Sequence, residues 1–236
     1  MFQTCCLTRN AAIFVNSSDV LVVDTHSKPS AAASLIAQIN KEVTSKPVRY
    51  VVNSHFHWDH TQGNHAYRVA EQKVDFIASE PTKQLMTDLA ERRRKESLEQ
   101  VPEEIETLRA RASNSRSEAE KALREEQIRQ LESYRTELQN YVPELPTITF
   151  NNSYVLRDKA HDLHIEFHGH AHTAGDVVVF CQQKRAIATG DMILGFVPNI
   201  GDGFPRSWPA RSILWPSWNS TDFCRDMVLY KPIDDG

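Results

Sequence analysis

Three histidines and an aspartate lie within six residues in the stretch NSHFHWDH. The β-branched run before it predicts a buried strand, so this cluster follows the end of a strand. Alternate side chains of an extended segment point the same way, so His55 and His57 can address one metal ion. Asp59 and His60 follow after a turn and can face a second position. Imidazole and carboxylate are ligands that suit zinc, and a dinuclear site needs such a mixed set.

The spacing of these four residues resembles the HxHxDH signature of the metallo-β-lactamase superfamily, and the match is complete. The stretch from His172 to Asp176 is similar to the His-Thr-x-Gly-Asp loop of that superfamily. The resemblance implies that Asp59 also orients the attacking water, and that Asp191 bridges both metals. The ligands implied for the first zinc are His55, His57 and His172, and those implied for the second are Asp59, His60 and Asp191.

Two further positions follow from this resemblance. Asp24-Thr25-His26 is similar to an Asp-Thr-Gly stretch in which the aspartate orients a metal-ligating imidazole, so Asp24 is expected in that role. His26 departs from the glycine of that pattern. At the place of Asp191, β-lactamases of the fold usually have cysteine or serine, whereas thioesterases, lactonases and related hydrolases have aspartate. The resemblance therefore implies a β-lactamase-like hydrolase rather than a dedicated β-lactamase.

The activity implied is that of a zinc-dependent hydrolase, in which a metal-bound hydroxide attacks the carbonyl of an ester, thioester, lactone or lactam. Iron or manganese could replace zinc, since oxygen and nitrogen ligands admit them. In the superfamily, a histidine in a Gly-His-Gly loop towards the C-terminus usually completes the second metal site. No histidine follows His172 in this chain. Two zinc sites are thus expected, the second weakened. The alternatives are a catalytically impaired metal-binding or interaction protein of the same fold, and a phosphodiesterase or nuclease.

The remaining histidines do not match ligand positions. His170 lies two residues from the predicted ligand His172, and we interpret it as a bystander. His161, His164 and His168 lie in or beside a predicted strand without partner spacing and are interpreted in the same way.

Hydrophobic periodicity predicts an α/β (α+β) fold, because strands alternate with a helix over Ser30–Val43. The resemblance implies a four-layer αββα sandwich over residues 11–205, within one domain spanning 1–236. The predicted strands are Ala11–Val15, Val20–Val23, Val48–Val52, Val74–Ala78, Leu163–Phe167, Val177–Phe180 and Arg185–Thr189.

Residues 80–146 contain fewer β-branched apolar residues than the rest of the chain and more Glu, Arg, Lys, Gln, Leu and Ala. This composition predicts a helical hairpin inserted into that sandwich. A short helix around Ile105–Ala112 and a longer one from Leu123 to Tyr141 are predicted, with a break at Ser113–Ser115. The hairpin could be a lid, a homodimer arm or a packing element. The basic run Arg92–Lys95 is interpreted as a solvated helix face, because acidic residues surround it.

Composition limits the partners. The chain has 236 residues, of which 40% are hydrophobic, and its net charge is −4. This balance argues against nucleic acid or an anionic membrane as partner and favours a small-molecule substrate. The first residues lack the features of a secretory signal, so a cytoplasmic location is expected for the chain as written, although a longer parent could be secreted. The four cysteines, Cys5, Cys6, Cys181 and Cys224, form no disulfide framework.

The tail over residues 211–236 is predicted to be atypical, because it shows neither helical nor strand periodicity. A shifted reading frame of the codons for residues 218–229 permits Glu-Phe-Asp-Arg-Leu-Leu-Pro-Gly-His-Gly-Pro, an ending similar to that of the superfamily. We therefore hypothesise a nucleotide insertion or deletion near Ala210. The alternative is a genuine, divergent tail. Sequencing the gene decides between them, since codons that cannot encode this peptide in another frame would exclude the shift.

Overall fold

The computed structural model describes residues 11–70, 73–193 and 200–208, together with the backbone of residues 222–224. The strands of these residues are β1 (Ala12–Val15), β2 (Val20–Val23), β3 (Val48–Val52), β4 (Asp75–Ser79), β5 (Ile148–Phe150), β6 (Ser153–Arg157), β7 (Asp162–Phe167), β8 (Val177–Cys181), β9 (Ala186–Ala188) and β10 (Asp222–Cys224). The helices are α1 (Pro29–Gln38), α2 (Trp58–Thr61), α3 (Asn64–Ala70), α4 (Glu80–Ser113) and α5 (Glu118–Asn140).

The strands form two sheets of five. The first has the order β1-β2-β3-β4-β5, with β1 antiparallel to β2 and the remaining neighbours parallel. The second has the order β10-β9-β8-β7-β6, antiparallel except for the pair β10 and β9. Because β2 and β3 are parallel, their carboxyl ends meet at one edge of the first sheet, where Asp24 and the histidine cluster follow them.

The two sheets share one apolar core. Leu21 and Val52 of the first sheet pack in the same cluster as Ile165 and Val179 of the second, and all four are fully buried. Such a core between two sheets explains the near-continuous apolar runs that made these strands predictable from the sequence.

The outer faces of both sheets are also covered. Helix α1 begins with Pro29 in its first turn, where a missing N–H costs nothing, and packs Ile36 against Val22 of the first sheet. The outer face of the second sheet packs Ile187 against Met192, in the 3₁₀ turn Gly190–Met192, with Trp208 beside them. The predicted α/β class and αββα sandwich are confirmed.

The sequence did not predict every element. The helix predicted over Ser30–Val43 is α1 followed by a π-helical turn, Ile39–Val43. Strands β5 and β6 were not predicted, because β5 has three residues and β6 is only half-buried, so neither carries a strong apolar pattern.

The tail prediction needs one correction. Residues Asp222–Cys224 form β10, parallel to β9, with Phe223 opposite Ile187, although no strand was expected in the tail. Main-chain pairing with a buried neighbour makes such a strand, and three residues are too few for a periodicity to be visible. The rest of the tail lies outside the described residues, and the frame shift stays a hypothesis.

The described residues fall into two compact units, one being residues 87–143 and the other the remainder. Helix α4, most of which lies in the unit of residues 87–143 (the helical unit), is far longer than predicted. It continues through Pro102 because Ile105 and Leu108 keep its apolar stripe buried. The chain turns between α4 and α5, and Ser117 caps α5 by accepting a hydrogen bond from the Glu120 amide. The insertion boundaries, the single domain and the dimer arm stay predictions.

One ion pair and one hydrogen bond join the two helices of the hairpin. Arg109 bridges to Glu132 across the two helices at 2.7 Å, and Arg94 donates to the carbonyl of Leu138 at 3.1 Å. Within the predicted basic face, Arg92 is exposed, whereas Arg94 is half-buried and forms an ion pair with Glu91.

No helix among the described residues is both long and apolar enough to cross a membrane.

Candidate metal centre

The histidine loop is fixed by main-chain hydrogen bonds where β3 ends. Asn53 donates to the carbonyl of Ile77 at 3.0 Å, and the carbonyl of Ser54 accepts from Val177 at 2.8 Å, so the loop is pinned between the two sheets. The amide of His60 then bonds the carbonyl of His57 at 3.0 Å and opens helix α2. This turn separates Asp59 and His60 from the preceding histidines, as the spacing predicts.

Three imidazoles converge on one point. Nδ1 of His57 lies 3.0 Å from Nε2 of His55 and 3.1 Å from Nε2 of His172. The three rings stand nearly perpendicular to one another, at interplanar angles of 81°, 85° and 81°. Two nitrogens bound tetrahedrally to zinc at 2.0–2.1 Å lie about 3.3 Å apart, so this cluster has dimensions that a zinc ion requires. The structure thus brings together the three histidines predicted for the first metal.

A second group of donors lies beside the first. Nε2 of His60 is 3.4 Å from Oδ1 of Asp191 and 3.7 Å from Oδ2 of Asp59. The other oxygen of Asp191 is 3.5 Å from Nε2 of His172, so one carboxylate faces both groups. His55, His60 and Asp191 also offer ligand atoms that all lie within 4.8 Å of one another. The structure therefore brings together two of the three residues predicted for the second metal, His60 and Asp191, whereas His55 completes this donor group where Asp59 was predicted.

The electrostatics favour a cation here. Burial lowers the pKa of His57, and it lowers the pKa of His172 to about 4, so both rings are neutral at pH 7, as metal ligands must be. Burial alone would also lower the pKa of His60, but Asp24 and Asp191 outweigh it and raise that pKa well above its ordinary value. Positive charge is thus stabilised beside His60, where a bound dication would replace a proton.

Asp24 supports the ligands from behind. Its Oδ1 accepts from the Ser54 amide at 2.8 Å, and its Oδ2 accepts from the Ser54 hydroxyl at 2.7 Å and from Nδ1 of His60 at 2.8 Å. Its backbone adopts φ 64°, and His26 adopts φ 70°, a region that favours glycine. The departure from glycine at His26 therefore places a side chain on a backbone that disfavours one.

A family model described as the metallo-beta-lactamase superfamily matches residues 6–231. The chain belongs to the metallo-β-lactamase superfamily. Members of this superfamily are mostly metallo-hydrolases. A search of the curated proteins found no match.

Two solved structures illustrate the likeness. A metallo-beta-lactamase from Pontibacter korlensis is 19% identical, with a TM-score of 0.59 over 87% of this chain and 73% of that one. The metallo-beta-lactamase IND-7 is 15% identical, with a TM-score of 0.60 over 91% of this chain and 76% of that one. At these identities the likeness supports the superfamily fold and nothing about substrate.

A buried polar network holds the superfamily loop around His60. The carbonyl of His60 accepts from the amide of Thr25 at 3.0 Å, from its hydroxyl at 3.1 Å and from Nδ2 of Asn53 at 3.3 Å. Asn53 and Asn64 bond each other through both side-chain amides, at 2.8 and 3.0 Å. Neither asparagine was predicted to have a role, although both lie next to the metal signature. A Cβ on Gly63 would lie 1.7 Å from the Thr25 carbonyl, so only glycine fits there.

The loop that presents His172 is built in a similar way. The Thr173 amide donates to Oδ2 of Asp176 at 2.6 Å, while burial raises the pKa of that carboxyl to about 6. The carbonyl of Gly175 accepts from the hydroxyls of Ser79 at 2.6 Å and Thr82 at 2.9 Å. These bonds fix the backbone that positions the His172 ring.

Asp202 was not predicted from the sequence. Its Oδ2 lies 3.0 Å from Nε2 of His57, the ring nitrogen that faces away from the imidazole cluster. Asp202 belongs to no motif, so no signal in the sequence could have found it. The histidines interpreted as bystanders belong to neither donor group in the described residues: His170 packs on Phe204, and His168 pairs with Glu166.

Proposed function

We propose that this chain is a zinc-dependent hydrolase that cleaves a carbonyl substrate, an ester, thioester, lactone or lactam. The observation that supports it best is the position of Asp191, whose two oxygens lie 3.4 Å from Nε2 of His60 and 3.5 Å from Nε2 of His172. A carboxylate placed in this way lies between the two donor groups and could serve as a ligand in both.

The proposed ligands are divided between two ions. One would be held by His55, His57 and His172, and the other by Asp59, His60 and Asp191. When bound, zinc would polarise the substrate carbonyl and lower the pKa of a coordinated water to about 7. Iron or manganese could occupy the same nitrogen and oxygen donors.

Asp59 is the residue proposed to act on the water. Its side chain is 28% exposed, whereas that of the neighbouring His60 is 5% exposed, so Asp59 reaches the open side of the site. From that place its carboxylate can orient the attacking water and accept its proton. Asp24 is proposed to orient His60 through the 2.8 Å bond to Nδ1.

The second metal is proposed to bind more weakly than the first. Its donors are one imidazole and two carboxylates, and no histidine follows His172 to supply another ring. Elemental analysis of protein purified without added zinc tests this. Two metals per chain would show that the second site survives, and one would place the metal with the three histidines. A metal content of zero would exclude a functional metal centre in this chain.

Turnover of a panel of chromogenic esters, thioesters, lactones and cephalosporins tests the activity. We expect hydrolysis by the wild type with zinc, and loss of at least two orders of magnitude in His57→Ala. His164→Ala is the matched control, since His164 lies in β7 and belongs to neither donor group. Metal binding without turnover of any carbonyl substrate would contradict the proposal and favour an impaired metal-binding protein. Turnover of bis-p-nitrophenyl phosphate instead would favour a phosphodiesterase.

A further inference from the structure

The hydroxyl of Ser54 lies between a carboxylate and a predicted metal ligand. Its Oγ is 2.7 Å from Oδ2 of Asp24 and 3.0 Å from Nδ1 of His55. Ser54 is 1% exposed, so water does not compete for these bonds. Because both neighbours are within hydrogen-bond distance, the single hydroxyl proton decides which partner donates and which accepts.

The directions of these bonds follow from counting protons. A carboxylate has no proton to give, so Asp24 accepts from the amide of Ser54 and from its hydroxyl. The hydroxyl proton is then used, and Oγ can only accept from His55. His55 therefore carries its proton on Nδ1, and its Nε2 is left with a lone pair that faces Nδ1 of His57 at 3.0 Å. A metal ligand needs this arrangement.

We propose that Ser54 is a positioning residue that fixes the tautomer and ring orientation of His55 and thereby couples the two donor groups. The inference rests on the proposed function only in taking His55 and His60 as ligands. Asp24 holds His60 directly and His55 through the Ser54 hydroxyl, so one carboxylate orients an imidazole of each cluster. Partners of this kind raise ligand basicity and fix ring orientation in metal sites.

The surroundings of Ser54 hold its hydroxyl in place. A Cβ on Gly190 would lie 2.4 Å from Oγ of Ser54 and 2.6 Å from its Cβ, so the glycine leaves room for this side chain. Gly190 also adopts φ +50°, which glycine tolerates best. On the backbone side, the carbonyl of Ser54 accepts from Val177 at 2.8 Å. Both the main chain and the side chain of Ser54 are thus constrained beside Asp191, the next residue after Gly190.

The tautomer is measured directly in the wild-type chain. Long-range ¹H–¹⁵N correlation spectra of the full chain, with zinc removed and with zinc added, report which ring nitrogen of His55 carries the proton. We expect Nδ1–H in both states, with slow exchange with water. A proton on Nε2, or an even mixture of tautomers in the zinc-free chain, would overturn the proposal without reference to any variant or activity.

A variant series then tests the coupling. In Ser54→Ala we expect zinc affinity to fall about 10–100-fold, as for other lost partners of metal ligands. We also expect the His55 Nδ1–H signal to exchange rapidly, and the visible spectrum of the cobalt-substituted chain to change. Ser54→Thr retains the hydroxyl and should restore the signal. Ser97→Ala, which removes a buried hydroxyl from helix α4 in the helical unit, is the matched control.

Ser54→Ala that keeps wild-type zinc affinity and a protected His55 Nδ1–H would contradict the proposal. If Ser54→Thr fails to fold beside Gly190, the wild-type spectra still decide. The experiment also separates this inference from the proposed function. If the wild type has the Nδ1–H tautomer and Ser54→Ala binds zinc more weakly, but no carbonyl substrate is hydrolysed, the proposed function is excluded and the role of Ser54 stands. If the wild type hydrolyses a carbonyl substrate but has the Nε2–H tautomer, the role of Ser54 is excluded and the proposed function stands.

Discussion

Nε2 of His57 lies 3.0 Å from Oδ2 of Asp202, a residue 145 positions later in the chain. The opposite ring nitrogen of His57 faces His55 and His172. Asp202 therefore bonds the Nε2 side of the His57 ring, while the Nδ1 side faces the donor group of the predicted first metal. It does so from the surface, since its side chain is 51% exposed. Such a carboxylate orients a ligand while contributing little to the stability of the fold.

Asp202→Ala tests this role. We expect the zinc affinity of the three-histidine cluster to fall about 10–100-fold, because the His57 ring loses its orienting partner. The melting temperature of the zinc-free chain should change little. Competition with a chromophoric chelator measures the affinity. Asp88→Ala in the helical unit is the control, and equal affinities in the two variants would show that Asp202 does not orient His57.

Gly190→Ala should damage the site more severely. The added Cβ would meet Oγ of Ser54 at 2.4 Å on a backbone with φ +50°, so either the strand end or Ser54 must move. We expect a loss of about 1–3 kcal/mol in the free energy of unfolding, together with weakened zinc binding. Gly203→Ala is the control, since its nearest contacts would lie at 3.4 Å. Urea denaturation measures the free energy of unfolding of both variants. Comparable losses of this free energy in the two variants would contradict the steric argument.

What could be predicted from the sequence was local or strongly periodic. The ligands His55, His57, Asp59 and His60 fall within six residues, so their spacing alone indicates the chemistry. Strand β2 was equally visible, because both of its faces are buried and every residue is apolar.

The remainder depends on contacts between distant segments. Asp202 becomes a partner of His57 only because its loop folds back beside the loop of His172, with the Phe204 amide donating to the Ala171 carbonyl at 2.8 Å. Helix α4 passes through Pro102 because packing offsets a residue that local propensity disfavours. No local pattern carries such information.

Tyr67→Phe should stabilise the protein. Tyr67 is fully buried, and within the described part of the chain its hydroxyl has no hydrogen-bond partner, while burial raises its pKa. Removing an unsatisfied buried hydroxyl should raise the free energy of unfolding by about 1 kcal/mol, or the melting temperature by about 2–4 °C. Tyr154→Phe at a half-buried position of β6 is the control. A lower melting temperature in Tyr67→Phe would reveal a partner, such as a buried water.

Asp158 should make stability depend on pH in the acid range. The Ser17 hydroxyl donates to Oδ2 of Asp158 at 2.6 Å, and with the amides of Ser17 and Ala160 it lowers the pKa of that carboxyl to about 2. Since the pKa is about 3.9 in an unfolded chain, the ionised form stabilises the fold above pH 4, and this contribution disappears as the pH falls from about 4 to 2.

Asp158→Asn should therefore melt below the wild type at pH 6 and converge with it towards pH 2. Ser17→Ala should narrow the same difference, because the carboxylate loses its first donor. Thermal melts across this range measure the effect. A gap between wild type and Asp158→Asn that stays constant from pH 6 to 2 would show that the charge of Asp158 contributes nothing.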